Sequence, residues 1–179
     1  MIFVLDMDGT LIDSNEANFL SYKDAYESIL KENFTLEYNH SRFTFKDLKK
    51  YFPHLTPKQK QQIKEEKTRL YAQYLSYTKI NQNLLNHILK FIKTHKIFLC
   101  TNAAKQRVEM IVKYHHLDFL SGIYCNESDN KFLNFLKHYN FDAKDIIVFE
   151  NDDSQISCAL QAGVLKQNII KIGMCYETT

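Results

Sequence analysis

The run Ile2-Phe3-Val4-Leu5 is continuous, apolar and rich in strand formers, and it stops abruptly at Asp6-Met7-Asp8-Gly9. A short apolar run closed by polar residues reads as a strand buried on both faces, the kind found in parallel sheets. Side chains alternate along a strand, so Asp6 and Asp8 face one way if the extended backbone continues past Leu5. Open parallel sheets place their ligands at the carboxyl ends of strands, where these acids stand. Two carboxylates held that close repel unless a cation, a proton or a hydrogen bond compensates. The simplest compensation is a divalent metal with oxygen ligands, Mg²⁺ first among them. Gly9 then allows a sharp turn or a close backbone approach.

After Ser14 the pattern becomes helical. Phe19, Leu20, Tyr22, Ala25, Tyr26, Ile29 and Leu30 recur at helical spacing, with Ser14 or Asn15 placed to cap. Residues 45–52 read as a short helix ended by Pro53. Thr56-Pro57 reads as an N-cap and a first-turn proline for a helix over 58–75. The charged positions of that helix make a solvated face, although one of its lysines could serve a phosphate. Residues 81–94 form a further helix, with Leu84, Leu85, Ile88 and Ile92 on one face. Strands then alternate with helices. Strands are expected over 96–100, 122–125, 146–149 and 169–172, with helices over 105–115, 131–139 and 154–162 between them. Gly163 follows the last helix as its C′ residue.

Strands alternating with helices imply a parallel sheet with right-handed crossovers. The fold class is therefore α/β: a Rossmann-like parallel sheet with helices on both faces. The helical stretch after the first strand is too long for a simple crossover. It reads as a small helical cap over residues 15–79, set into a core of residues 1–14 and 80–179. Such a cap could exclude water from the acids and gate access to them.

Composition excludes several classes. The 179 residues are 45% hydrophobic and 25% charged, with a net charge of +2, ordinary for one globular domain or one domain with an insert. No basic stripe interleaves with aromatics, so no nucleic-acid partner is expected. No stretch nears the ~20 apolar residues of a membrane span. The amino-terminal run is too short for a secretory leader and ends in acids. Cys100, Cys125, Cys158 and Cys175 are widely spaced and read as reduced thiols. A cytoplasmic protein is expected. His115-His116 has no ligand partners at metal spacing.

Polar groups collect at four places along the predicted core. They are Asp6 and Asp8, Thr101 and Asn102, Lys131 at a helix start, and Glu150-Asn151-Asp152-Asp153 after the fourth core strand. Thr101 and Asn102 offer a hydroxyl and an amide to phosphate oxygens. The Lys131 ammonium could neutralise a nucleophile and a phosphoryl group together. The last group supplies oxygen ligands suited to Mg²⁺.

Asp6-Met7-Asp8-Gly9-Thr10 resembles the DxDGT signature of the haloacid dehalogenase superfamily, and the order of the four places resembles that family's four motifs. The resemblance spans most of the chain outside the predicted cap. It implies a small phosphorylated metabolite as substrate and Mg²⁺ as cofactor. It implies Asp6 as nucleophile, forming an aspartyl-phosphate, and Asp8 as the acid that protonates the leaving group and then activates water. Thr101 and Asn102 would bind phosphoryl oxygens and Lys131 would hold charge in place. The metal would take Asp6, Asp8 through its backbone carbonyl, and an acid of the fourth motif. The acid at position 8 points within the family to phosphoryl transfer from an oxygen ester. The phosphoglycolate phosphatase and β-phosphoglucomutase branches look similar in their helical cap.

Two departures from the family pattern stand out. Phe132, not proline, follows Lys131, which leaves Lys105 or Lys137 as substitutes. Counting back from Ala162-Gly163 puts Glu150 first in the fourth motif and Asn151 where the metal-binding aspartate usually stands. Asn keeps a carbonyl oxygen and loses the charge, so Asp152 or Asp153 could complete the site. Phosphoester hydrolysis is the leading expectation. A sugar phosphomutase and a catalytically impaired binding protein on the same scaffold are the alternatives.

Overall fold

A computed structural model describes residues 1–126 and 129–173. In chain order the elements are β1 (Ile2–Leu5), β2 (Ile12–Asp13), α1 (Asn15–Leu30), α2 (Phe45–Tyr51), α3 (Pro57–Leu70), a 3₁₀ segment (Tyr71–Tyr77) and β3 (Lys79–Ile80). Then come α4 (Gln82–Leu89), β4 (Lys96–Thr101), α5 (Lys105–Tyr114), β5 (Gly122–Cys125), α6 (Lys131–Tyr139), β6 (Ile146–Glu150), α7 (Asp153–Gln161) and β7 (Ile169–Lys171).

The main sheet has the order β5-β4-β1-β6-β7. Every pairing in it is parallel. The apolar amino-terminal run sits at its centre, with Leu5 level with Leu99 of β4 and Phe149 of β6. Alternation sends Phe3, Leu5, Ile97, Leu99 and Phe149 to one face, where Ile88, Val108 and Ile111 cover them. It sends Val4, Phe98, Cys100, Ile146 and Val148 to the other, under Phe132, Phe135 and Ala159. Burial on both faces explains why the strands read as continuous apolar runs. The α/β architecture with helices on both faces is as expected.

Helices α1–α3 enclose an apolar cluster of their own, built from Phe19, Tyr22, Tyr26, Phe34, Phe43, Leu48, Phe52, Leu55 and Ile63. Helices α2 and α3 each begin with a complete capping box, from Thr44 and Asp47 and from Thr56 and Gln59. A two-residue antiparallel ribbon joins the ends of this helical stretch, with Ile12 opposite Ile80 and Asp13 opposite Lys79. Asn81 tightens it, donating through its N–H to the Leu11 carbonyl (2.8 Å) and through its side-chain amide to the Thr10 carbonyl (3.1 Å).

Two helices differ from expectation. The helix after Pro57 ends at Leu70, and the chain winds tighter through Tyr71–Tyr77. That turn delivers Tyr71 into the core of the main sheet, fully buried. Helix α4 stops at Leu89, and Ile92 is 44% exposed instead of sharing the buried face. Phe91 folds back edge-on to Phe3, ring centroids 5.4 Å apart, so the apolar residues past α4 are spent on a local aromatic contact.

Cys100, Cys125 and Cys158 are free thiols, and Cys175 lies outside the described residues. His115 shares a hydrogen bond with Thr78 (2.7 Å) and is partly buried. No helix among the described residues is long and apolar enough to cross a membrane.

Candidate active site

The sheet order brings three strand ends side by side. Asp6 follows β1, Thr101 closes β4 and Glu150 closes β6. The Asp6 N–H still donates to Phe149 (3.0 Å), so extended pairing carries one residue past β1. Asp6, Asp8, Thr101, Lys131 and Glu150 are all buried.

Lys131 opens α6 and lies across the sheet ends, 1% exposed. Its Nζ donates to Asp6 Oδ1 (2.5 Å) and to Glu150 Oε2 (2.7 Å). Asn130 makes this possible by capping α6, its side chain accepting from the N–H groups of Phe132 and Leu133. One ammonium thus serves two buried carboxylates. Burial pushes Asp6 and Glu150 above the usual range, with the charge of Asp8 adding to it at Asp6 and that of Asp6 at Glu150, against the pull of Lys131. Burial would lower Lys131, but the two anions outweigh it and raise its pKa. Glu150 Oε1 also accepts from the N–H groups of Asn151 (2.9 Å) and Asp152 (3.1 Å). Lys105 is exposed beside Glu109 on α5, 3.9 Å away, far from this arrangement in role.

Asp8 has different company. Arg107, from the first turn of α5, grips it with both terminal nitrogens, NH1 to Oδ1 at 2.8 Å and NH2 to Oδ2. Ser14 donates to Oδ1 (2.5 Å), and the half-exposed Arg42 stands 3.7 Å from Oδ2. Burial alone would raise the Asp8 pKa. Arg107 outweighs it, helped by Arg42 and Ser14, and holds the carboxyl well below the usual carboxylate range. Ser14 precedes α1, yet its side chain makes no capping bond there because Asp8 has it.

Beyond Arg107 the surroundings stay cationic. Lys67 of α3 is 7% exposed and donates to Asn18 Oδ1 (2.7 Å). It lies over the rings of Tyr71 (4.6 Å) and Tyr22 (5.3 Å). No carboxylate among the described residues pairs with it, and burial, then Arg107, drives its pKa well below that of a free lysine. The Tyr71 hydroxyl is buried with Arg107 and Ser14 nearby, and among the described residues it has no partner in hydrogen-bond geometry.

The remaining predicted residues divide. The Thr101 hydroxyl accepts from the Ala103 N–H (3.1 Å). Asn102 is exposed, accepting from Asn126 (2.9 Å) and donating to Gln155 (3.3 Å). Asp152 turns toward α7, taking the N–H and hydroxyl of Ser154 (2.8 and 2.6 Å). Asp153 pairs with Lys171 at the surface. Asn151 lies against Gly9, whose φ is +85°, and a Cβ there would collide with the Asn151 amide.

Among the described residues no three His, Cys, Asp or Glu side chains converge as a ready metal cage. The donor set is instead mixed. The Asn151 amide faces the Asp8 main-chain carbonyl (3.3 Å) and Glu150 Oε1 (3.2 Å), with Thr10 Oγ1 at 3.1 Å. These are neutral and anionic oxygens beside the Asp6 carboxylate, the donor type that suits Mg²⁺. They fit that cation with one charge fewer than a third acid would supply.

Arg107, Arg42, Ser14 and Tyr71 were not singled out by sequence reasoning as site residues. Arg107 alone carries a sequence signal, since it shares the apolar face of α5 with Val108 and Ile111. A cation on a buried face calls for an anion opposite.

The family model for haloacid dehalogenase-like hydrolases matches residues 2–167. No curated protein matches the sequence significantly. Among solved structures, CbbY from Rhodobacter sphaeroides in complex with phosphate superposes with a TM-score of 0.77 at 14% identity, covering 99% of this chain and 89% of that one. A candidate phosphatase from Clostridium difficile gives 0.73 at 20% identity, covering 91% and 81%. A candidate β-phosphoglucomutase from Thermotoga maritima gives 0.65 at 19%, covering 100% and 88%. At these identities the structures speak for the fold, and the family model speaks for descent: the chain belongs to the haloacid dehalogenase-like hydrolases.

Proposed function

We propose that the chain hydrolyses a small phosphomonoester through an aspartyl-phosphate on Asp6, with Mg²⁺ as cofactor. The observation that carries this reading is Lys131 bridging Asp6 and Glu150 at adjacent strand ends, with Asp8 two residues on and Thr101 alongside. In the first step an Asp6 carboxylate oxygen attacks phosphorus as the ester P–O bond breaks. The departing oxygen takes a proton from the Asp8 carboxyl. In the second, Asp8 as carboxylate accepts a proton from water, whose oxygen attacks phosphorus and frees Asp6 and phosphate. Lys131 keeps Asp6 correctly placed, and Thr101 and Asn102 receive the phosphoryl oxygens. Asp6, the Asp8 carbonyl and the Asn151 carbonyl would hold the metal, with Glu150 and Asp152 adjoining. When bound it offsets phosphate charge.

Arg107 holds Asp8 in the base form. Donating a proton requires that grip to loosen, and an anionic substrate competing for the guanidinium is the group able to loosen it. Residues 15–79 act as the cap over residues 1–14 and 80–179. The free thiols fit a reducing cytoplasmic setting.

The test is phosphate release from a panel of small phosphomonoesters, with Mg²⁺ and with a chelator, using Asp6→Asn as control. Metal-dependent turnover that disappears in Asp6→Asn is expected. Wild type no faster than Asp6→Asn on every ester would overturn hydrolysis. A sugar-phosphate isomerisation assay primed with bisphosphate would then separate a mutase from an impaired scaffold, the reading that Asn151 favours.

A further inference from the structure

Around Asp8 the charges do not balance. Arg107, Arg42 and Lys67 gather near this one carboxylate, and Asp8 is the only anion among the described residues that ion-pairs with any of them. It is already engaged: both its oxygens accept from Arg107, and Oδ1 also accepts from Ser14 (2.5 Å). Lys67 makes a single hydrogen bond among the described residues, to Asn18 Oδ1 (2.7 Å), and Asn18 in turn donates to Ser14 Oγ (3.1 Å). Its Nζ otherwise faces the rings of Tyr71 (4.6 Å) and Tyr22 (5.3 Å). The Arg107 guanidinium stands 5.3 Å from the same Tyr71 ring. One ring is thus shared by two buried cations, and its hydroxyl has no partner in hydrogen-bond geometry among the described residues. A lysine buried that deeply is ordinarily paired with an anion, and a buried hydroxyl is ordinarily bonded. An anion would supply both deficits at once, with oxygens to accept from Nζ and Oη and charge to set against Lys67 and Arg107.

We propose that Lys67, Arg107 and the Tyr71 hydroxyl form a second anion subsite, and that the substrate is a small phosphomonoester carrying a further anionic group, a carboxylate or another phosphoryl group. The assignment rests on the reading of Asp6 as the phosphoryl site, since it concerns the other end of the substrate. Arg107 comes from α5 and its companions from residues 15–79, so the subsite forms where the helical stretch meets the main sheet's cover, with the half-exposed Arg42 at its rim. Charge decides what it accepts. A neutral tail of the same length leaves the two buried cations in excess. Arg107 also holds Asp8, so an anion drawn to the subsite competes with Asp8 for the guanidinium.

The experiment measures binding of phosphonates, which cannot be hydrolysed, to the whole protein by isothermal titration calorimetry in the presence of Mg²⁺. Phosphonopropionate carries the second anion as a carboxylate and ethylene bisphosphonate carries it as a phosphoryl group. Phosphonopropionamide is the neutral match. Expected in wild type is tighter binding of a charged probe than of the amide by roughly tenfold or more, a preference that Lys67→Gln and Tyr71→Phe each reduce severalfold. Whichever charged probe binds better identifies the kind of second group. Equal affinity for all three probes in wild type, or a preference undiminished in the variants, would overturn the subsite. Should Lys67→Gln fail to fold, Tyr71→Phe carries the comparison. The two readings fail separately. Probes bound without preference for charge remove the subsite and leave the hydrolase. A preference for charge in a protein that releases no phosphate from any ester keeps the subsite and removes the hydrolase. Binding of no probe at all removes both.

Discussion

Arg107 and Asp8 are 99 residues apart in sequence and form a two-point ion pair that is almost wholly buried. Bidentate guanidinium–carboxylate contacts fix orientation as well as charge. The pair sets the protonation state of the second acid, which the first fourteen residues alone do not determine.

Replacing Arg107 by Met leaves Asp8 buried with only Ser14 and the partly exposed Arg42. The expected cost is about 3–5 kcal/mol at neutral pH, the range for breaking a buried pair from one side. Asp8 has a depressed pKa in the folded protein, so the stability it contributes is present above its unfolded value and lost as pH falls toward the folded one. The deficit of Arg107→Met should therefore shrink on acidification. Urea unfolding of both proteins at pH 7 and at about pH 3, below the ordinary carboxylate value, checks this, and a pH-independent difference would contradict it.

Lys131→Met leaves Asp6 and Glu150 without their shared counter-ion. Their pKa values, already raised by burial, should rise further. For acids raised in the folded state, stability declines as pH climbs from the unfolded value through the folded one. The variant should thus be weakened by about 3–5 kcal/mol at pH 7 and recover more than wild type as pH falls. Melting curves across that interval would read it directly, and a variant equally weak at every pH would count against it.

Tyr71→Phe removes a buried hydroxyl that, among the described residues, has no partner in hydrogen-bond geometry, with Arg107 and Ser14 nearby. Deleting such a group is expected to leave stability unchanged or raise it by up to about 1 kcal/mol. If the hydroxyl awaits an oxygen of the substrate, KM should rise while the protein melts no lower. A lower melting temperature would mean that the hydroxyl has a structural bond in solution.

Legibility in the sequence followed sequence distance and element length. The central strand, its two acids and the βα alternation were readable because each is a continuous local pattern. Lys131 was readable through its place at a helix start. Arg107 was harder, since its partner lies 99 residues earlier in the turn after β1 and only the apolar company of Val108 and Ile111 hints at a buried anion. Ser14 carried a misleading cue: a residue well suited to cap a helix gives its hydroxyl to Asp8 instead. The β2–β3 ribbon is two residues a side, too short to show any period. Residues beyond Leu89 kept an apolar spacing consistent with helix, and only the contact between Phe91 and Phe3 shows why the chain leaves it.

That ribbon has an architectural consequence. The polypeptide enters the helical excursion through Ile12–Asp13 and leaves it through Lys79–Ile80, so both ends of the excursion meet at two ladder rungs beside the main sheet. Whatever is threaded between them imposes no spacing on β1, β4 or β6. The excursion can be lengthened, shortened or exchanged as a cassette while the strand ends that carry Asp6, Thr101 and Glu150 keep their register, provided the replacement again covers the sheet face that Tyr71 now fills.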